Sequence, residues 1–391
     1  MNRPISFGVL VVGLAVAACG SSNSSTSSTS SAAAGASGVG ASTGGATGAG
    51  SVEGTTGTGG SAGNATGSSA SGTGTGGGAA NGSTGGSSAG GTQYTVSTLP
   101  GGGLVNGSCG PDGTDAAFNP QLLAVDAAGN IYVTSDELDE IVPGGAVTAL
   151  TGLTPPANGL AAAAAGVAYY SQTANFTSAT TITEVMGSST TTVFTPQMSP
   201  SCTDTGPTSG LGEPAGIAVD SLGNIYVADE GCFEVREIAP GGAISTLAGT
   251  AGVQGDKNGP GSMSTFSELS AIAVDQNGVV YVSEADTSLI RAIQPDGTTS
   301  TFASGARNVG GLAVDGNGNV YFSDSENNVI HEIDPSGHIT TLAGNGMMGL
   351  MNGPAAMAEF NAPVGVGVDS KGNVFVADSA NCVVREISPG M

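Results

Sequence analysis

A repeated pattern of apolar and polar positions runs through most of the chain. An apolar run precedes Asp-x-x-Gly, and a second run then alternates apolar and small residues around an aromatic residue. Such alternation on both sides of a turn indicates two paired β-strands. Asp and Gly suit the first and fourth positions of a type I turn, because the carboxylate accepts turn amides and Gly tolerates positive φ. Five copies of this predicted hairpin occupy 123–133, 217–227, 272–282, 312–322 and 366–376.

Two further strands are predicted after each hairpin. The hairpin at 217–227 is followed by an apolar segment at 235–238, a Pro-Gly-Gly turn and a segment at 244–247. Residues 157–195 lack the Asp turn but keep the spacing from Gly166 to Tyr169, which predicts a degenerate sixth copy. Six four-stranded units predict an all-β chain folded as a six-bladed β-propeller. One aromatic residue from each second strand is expected to pack between blades: Tyr132, Tyr169, Tyr226, Tyr281, Tyr321 and Phe375.

The last repeat has no fourth strand of its own. The sequence stops soon after a predicted third strand at Val383–Ile387, and an uncovered edge strand invites unwanted pairing. Residues 93–99 read like the fourth strands of other repeats. We therefore expect them to pair with 383–387 and to close the ring.

The residues before the repeats predict export. Arg3 precedes an apolar run, 5–16, which is too short to span a bilayer and is typical of a signal peptide. Val16-Ala-Ala-Cys19 resembles a bacterial lipobox, which implies a signal peptide at 1–18 and a lipidated Cys19. The alternative is an ordinary signal peptide cleaved after Ala17. Because Gly20 follows the Cys, the resemblance implies the outer membrane or cell surface.

Residues 19–91 consist almost wholly of Ser, Gly, Thr and Ala. This composition buries too little apolar area to offset the entropy of ordering, which predicts a disordered linker. The density of Ser and Thr also leaves O-glycosylation open. The folded domain is expected at 92–391, as a monomer.

The charge of the chain limits its partners. Seven Lys and Arg stand against 31 Asp and Glu, for a formal net charge of −24. A field of this sign repels polyphosphates, so nucleic acid is excluded as an expected partner. Cationic molecules, divalent metals and neutral glycans are compatible with it.

The repeat resembles the NHL repeat, best at 214–249, where P-A-G-I-A-V-D-S-L-G-N-I-Y-V-A-D is followed by R-E-I and T-L-A-G. The resemblance implies a propeller but several functions, which include binding domains, protein or RNA adaptors and lyases. RNA-binding members use basic faces, and lyases hold a metal with several His. This sequence has only His331 and His338, and His331 takes the place of an arginine in other repeats, where we expect a surface ion pair.

Four cysteines remain besides Cys19, an even number that indicates disulfides in an exported protein. Cys109 and Cys202 lie in loops that lead into blades, whereas Cys232 and Cys382 lie in equivalent loops between second and third strands. Both kinds of loop emerge on one face of a propeller. Adjacency favours Cys202 with Cys232 and Cys109 with Cys382, and the absence of a C-x-x-C spacing disfavours zinc.

Carboxylates recur where second strands end, on the face that carries the loops between blades. A partial ring of these groups could bind Ca²⁺, as in the gluconolactonase-like propellers that this fold resembles. In the alternative interpretation, each carboxylate only bonds backbone amides of an adjacent loop. The four residues are Asp229, Glu284, Asp324 and Asp378.

The loop before the sixth copy is rich in methionine. Met347, Met348 and Met351 exceed what the repeat needs for packing, and an exposed Met cluster suits an adaptable binding surface. The leading hypothesis is an extracytoplasmic, lipid-anchored module that captures a protein, peptide or glycan on this face. The alternatives are a Ca²⁺-dependent lactonase-like or lyase-like enzyme acting in the central channel, and a structural envelope protein.

Overall fold

The computed structural model describes residues 93–99, 104–105, 108–109, 118–153, 156–173, 180–195, 202 and 210–390. Residues 1–92 lie outside this part, so the signal peptide, Cys19 and the linker stay predictions. The regular structure described consists of strands, numbered here in chain order, and four single-turn 3-10 helices. No helix among the described residues is long and apolar enough to span a bilayer.

The first three blades are four-stranded antiparallel sheets. Blade one contains β4 (Leu123–Val125), β5 (Ile131–Thr134), β6 (Glu137–Ile141) and β7 (Val147–Gly152). Blade two contains β8 (Gly159–Ala162), β9 (Val167–Thr173), β10 (Thr180–Met186) and β11 (Ser189–Phe194). Blade three contains β12 (Pro214–Val219), β13 (Ile225–Asp229), β14 (Glu234–Ile238) and β15 (Ile244–Ala248). The degenerate copy predicted at 157–195 is therefore a complete blade.

The other blades follow the same order. Blade four contains β16 (Leu269–Val274), β17 (Val280–Glu284), β18 (Leu289–Ile293) and β19 (Thr299–Ser304). Blade five contains β20 (Val309–Val314), β21 (Val320–Asp324), β22 (Val329–Ile333) and β23 (Ile339–Ala343). Blade six contains β25 (Pro363–Val368), β26 (Val374–Asp378), β27 (Val383–Pro389), β1 (Tyr94–Thr98) and a short β24 (Gly353–Pro354). A small hairpin pairs β2 (Leu104–Val105) with β3 (Ser108–Cys109).

The Asp turns form as the pattern predicts. In blade three, Oδ1 of Asp220 accepts the amides of Leu222 and Asn224, each at 2.9 Å. Blade two lacks its own Asp, and Asp126 of blade one accepts the amide of Gly166 at 2.7 Å. Gly166 has φ of 78°, a conformation that few residues other than Gly adopt readily. A carboxylate of the neighbouring blade thus bonds the turn of blade two.

The core lies between successive blades. One buried cluster contains Tyr226 and Val235 of blade three, Val280 and Ile293 of blade four, and Phe266 from the loop between these blades. The six second-strand aromatics lie where the repeat predicted, and the buried ones among them are Tyr132, Tyr226, Tyr281, Tyr321 and Phe375. The fold is thus a ring of packed sheets, as predicted.

The last blade is completed by the earliest described strand. β1 pairs antiparallel with β27, so that Val96 lies opposite Ile387 and Tyr94 opposite Pro389. The paired segment is 385–389, displaced by two residues from the expected 383–387. Val96 is buried, and β24 covers the other edge of β1.

Candidate functional site

The four predicted metal-binding carboxylates do not meet. They end the second strands of four different blades, and each is occupied within its own blade. Asp229 accepts the amides of Gly212 at 2.9 Å and Glu213 at 3.0 Å, in the loop that leads into blade three. Burial raises the pKa of Asp229, and these amide bonds oppose that rise.

Glu284 and Asp378 form buried ion pairs with arginines of the next strand. Nη1 of Arg291 lies 2.8 Å from Glu284, and Nη1 of Arg385 lies 2.8 Å from Asp378. All four side chains are fully buried, because the loop that leads into each blade covers them. Arg236 of blade three is also buried, with Nη1 3.3 Å from Glu234. The arginine position was expected at the surface, so that expectation was wrong for all three blades that contain arginine here.

In blade five the same arrangement is weaker. Asp324 accepts the amide of Asn327 at 3.0 Å, and Nε2 of His331 lies 3.9 Å from its Oδ2. The His331 ring stacks on Phe322 with centroids 4.8 Å apart. Burial lowers the pKa of His331, against the opposing charge of Asp324.

These contacts favour the alternative interpretation of the carboxylates over a shared Ca²⁺ ring. Within the described ranges, no group of three or more His, Cys, Asp or Glu side chains could hold a metal ion. The carboxylates are instead separated by blade and used as ion-pair partners or amide acceptors. Sequence alone did not distinguish these roles. A carboxylate that recurs at the same position of each repeat could serve each blade separately or contribute to one shared site.

A small cavity without charged side chains lies between the first strands of the blades. The first strands of all six blades surround a cavity of about 80 Å³, and the residues that line it are Leu, Ile, Val, Ala, Gly, Ser and Asn. Small-molecule sites usually measure about 300–1,000 Å³ and contain a few convergent polar groups. Glycines permit the close approach: a Cβ on Gly365 would lie 2.5 Å from the amide nitrogen of Leu123. None of the residues that line this cavity is Asp, Glu, His, Lys or Arg.

One predicted disulfide is present. Cys202 is bonded to Cys232, with Cα atoms 5.1 Å apart, which fixes the loop before blade three to the loop between β13 and β14. Cys382 is also disulfide-bonded. The side chain of Cys109, its expected partner, lies outside the described residues, so that pairing stays a prediction.

The methionine-rich loop forms an exposed apolar surface. Between β23 and β25, five apolar side chains are 41% to 72% exposed, and we call them the Met surface: Met347, Met348, Leu350, Met351 and Met357. The three predicted candidates therefore lie on one loop and face solvent. The Met surface is on the face that carries the inter-blade loops, which we call the loop face.

The backbone beneath the Met surface is firmly bonded. Asn381 donates to the carbonyl of Gly349 at 2.7 Å, and Nη2 of Arg385 donates to that of Met351 at 3.1 Å. Arg385 also contacts Asn352 at 2.7 Å and lies 5.1 Å from the centre of the Phe360 ring. The buried arginine thus holds the loop in place while the methionine side chains stay outside.

The loop that leads into blade four has the same anchoring residues and a different outer surface. We call these anchors, an Asn, a Gly-Pro pair, a Phe and the buried Arg that contacts the Asn and the Phe, the loop frame. Arg291 contacts Asn258 at 2.7 Å and lies 5.2 Å from the centre of the Phe266 ring, as Arg385 does with Asn352 and Phe360. Parallel bridges join Gln254 to Phe266 and Met348 to Phe360, which fixes the correspondence between the loops. The residues at 253, 254, 256 and 257 are Val, Gln, Asp and Lys, where 347, 348, 350 and 351 are Met, Met, Leu and Met. The frame therefore folds without methionine at these positions.

The comparisons with known proteins agree with this architecture. The family model of the NHL repeat matches residues 211–236, which include β12, β13 and most of β14. The chain carries an NHL repeat in a six-bladed β-propeller. No curated protein matches its sequence.

Solved structures resemble this NHL-repeat propeller in fold. A protein of unknown function from Bacteroides thetaiotaomicron has a TM-score of 0.55 at 17% identity, covering 75% of this chain and 76% of that one. Auxiliary nutrient binding proteins from B. thetaiotaomicron and B. ovatus have TM-scores of 0.54 and 0.55 at 15% and 16% identity. The alignments cover 76% and 77% of this chain, and 76% and 78% of those proteins. At such identities the likeness is limited to the fold.

Sequence reasoning missed two members of the Met surface and the role of the arginines. Leu350 and Met357 were not singled out, yet both are exposed. The signal was available in the common spacing of Asn-Gly-Pro and Phe at 258–266 and 352–360. Comparing the two loops position by position separates the residues of the frame from the surplus methionines.

Proposed function

We propose that this propeller is a non-catalytic binding module that holds a basic, amphipathic segment of a partner protein on the Met surface. The observation that supports it is a cluster of five exposed apolar side chains on a backbone fixed by Arg385 and Asn381. Exposed apolar clusters commonly mark interaction sites. A fixed backbone also reduces the ordering entropy that binding would otherwise cost.

Methionine suits a partner whose apolar face is irregular. Its unbranched side chain has three rotatable bonds and a polarizable sulfur, so it adapts to different shapes. An amphipathic helix can bury its apolar face on such a surface. A glycan would need more polar donors and acceptors than this cluster supplies, so we favour a peptide segment.

Charge favours a basic partner. The chain has a net charge of −24. The Glu359 carboxylate also lies against Gly349, in the loop between β23 and β25 that carries the Met surface. Negative potential raises the rate at which cationic partners arrive, and added salt screens it. The partner would thus combine an apolar face with Lys or Arg along its edges.

We propose that the module acts outside the cytoplasm. Cys19 would be lipidated at the outer membrane or cell surface, and residues 19–91 would form a flexible spacer. At about 5–6 Å times the square root of length, such a spacer has a root-mean-square reach of roughly 45 Å. That reach would present the loop face to partners beyond the membrane surface.

The test uses a synthetic amphipathic peptide of about 18 Leu and Lys residues, long enough to form several helical turns. Binding is measured by calorimetry with the parent chain and with Met347→Val, Met348→Gln, Leu350→Asp and Met351→Lys combined. These substitutions copy the loop of blade four, so the frame should be kept. We expect binding to weaken at least about tenfold, or ~1.4 kcal/mol.

Met186→Gln is the matched control, because Met186 is equally exposed but lies at the turn from β10 to β11, on the opposite face. Its affinity should equal that of the parent, and binding of the parent should weaken as salt rises. Unchanged affinity in the loop variant would overturn the proposal. Binding of a neutral oligosaccharide in place of the peptide would overturn the choice of partner.

A further inference from the structure

The Met surface concentrates thioether groups. Four of the nine methionines of the chain lie between 347 and 357. The Asn345 side chain connects two of them, because it accepts the amide of Met347 at 2.8 Å and donates to the carbonyl of Met357 at 3.3 Å. These two methionines are therefore neighbours in space although ten positions separate them.

The other two methionines lie along the same fold of the loop. Met348 forms a parallel bridge with Phe360, and the carbonyl of Met351 accepts the amide of Glu359 at 3.1 Å. The segment 347–351 thus runs beside 357–360. Four long, flexible and exposed thioether side chains therefore emerge from two adjacent segments of backbone.

Packing does not require sulfur at these positions. The equivalent loop of blade four has Val253, Gln254 and Lys257 in place of Met347, Met348 and Met351, with the same frame. It has one methionine, Met263, in place of Met357. An apolar surface could also be made from Leu or Val, but only methionine adds a thioether sulfur to it.

Thioether sulfur is a soft ligand, which selects monovalent copper over the harder divalent ions. The described residues contain no group of three His, Cys, Asp or Glu side chains that would serve Zn²⁺ or Ca²⁺. Cys202, Cys232 and Cys382 are disulfide-bonded and supply no thiolate. The nearby Glu359 carboxylate and the acidic chain favour a cation.

We propose that the Met surface binds one Cu(I) ion through three thioether sulfurs, those of Met347 and Met357 together with Met348 or Met351. Ag(I), a soft ion of the same charge, would bind at the same place. The inference does not depend on the peptide binding proposed above. It adds a soft-metal site to a propeller whose carboxylates form none.

The test is anaerobic titration of the full chain with Cu(I) against a chromogenic Cu(I) chelator, repeated with Ag(I) by calorimetry. We expect one equivalent of either ion. In a leucine variant that combines Met347→Leu, Met348→Leu, Met351→Leu and Met357→Leu, that equivalent should be lost. Met263→Leu, which changes the single methionine of the blade-four loop, should bind as the parent does.

The leucine variant also separates the two proposals. It keeps the apolar surface, so it should still bind the Leu-Lys peptide and unfold at the temperature of the parent, whereas Cu(I) binding is lost. Absence of Cu(I) binding to the parent, or full binding to the leucine variant, would overturn the metal site alone. X-ray absorption that shows only nitrogen and oxygen ligands to copper would also overturn it.

Discussion

Arg291 and Arg385 each bond both a carboxylate of their own blade and the loop that leads into that blade, and so fix this loop on the loop face. Arg291 is fully buried, contacts Glu284 at 2.8 Å and Asn258 at 2.7 Å, and stacks on Phe266. A guanidinium suits this position because it offers five donors in a planar fork and its face packs on an aromatic ring. The ion pair therefore fixes a loop as well as neutralising a carboxylate.

Removal of this arginine should destabilise the protein strongly. Arg291→Met keeps much of the side-chain volume but leaves Glu284 buried without its partner, which typically costs about 3–5 kcal/mol. The free energy of unfolding in urea measures the effect. Arg307→Met is the control, because Arg307 is exposed and should stay within about 0.5 kcal/mol of the parent. A loss below about 1 kcal/mol for Arg291→Met would contradict the role assigned to the pair.

His331 should make stability depend on pH. Burial lowers the pKa of His331 in the folded state, so the unfolded chain binds the proton more readily. Stability is then present above the unfolded pKa of about 6.5 and is lost as pH falls through that value. We expect His331→Gln to reduce the drop in unfolding free energy between about pH 7.5 and 5.5. A drop in His331→Gln as large as that of the parent would disprove the assignment.

At the scale of elements, the first strand is needed for the last blade. Val96 of β1 is buried against blade six, and β1 forms backbone pairs with β27 along its whole length. A chain that begins at residue 100 would expose the edge of β27 and lose this burial. We expect its free energy of unfolding to fall by about 3 kcal/mol or more. A chain that begins at residue 92 is the control, and equal melting temperatures for the two would show that β1 is dispensable.

The strands were predictable because their pattern is local and repeated. Alternation around Asp-x-x-Gly gave the hairpins, and Gly166 and Tyr169 were enough to reveal blade two. The use of the carboxylates was not predictable in the same way. Whether Asp378 points at a metal or at Arg385 depends on the loop that folds over both, and that loop is distant in sequence from the strand it covers.

At the scale of the whole molecule, the ring depends on close contact of its inner strands. A Cβ at Gly365 would lie 2.5 Å from the amide nitrogen of Leu123 and 2.7 Å from the carbonyl of Gln121, across the junction of blades six and one. The amide of Gly365 also donates to that carbonyl at 2.9 Å. A single methyl group at this position would push the two blades apart.

Gly365→Ala should therefore lower the free energy of unfolding by about 1–3 kcal/mol, the usual range for overpacking. Gly152→Ala is the matched control, because no heavy atom lies within 4 Å of its added Cβ and its φ is not positive. That variant should match the parent or exceed it by up to about 1 kcal/mol. Differential calorimetry of both variants tests the comparison, and equal stability would show that the junction is not tightly packed.

The frame common to 252–266 and 346–360 has a consequence for how such a ring can change over time. Asn, Gly-Pro, Phe and a buried Arg anchor each loop, and the outward positions between these anchors differ in sequence between the two loops. Substitutions at these outward positions could therefore change which partner the loop binds while the rest of the propeller stays the same. A single scaffold could in this way diversify its targets much as immune receptors do, one surface at a time.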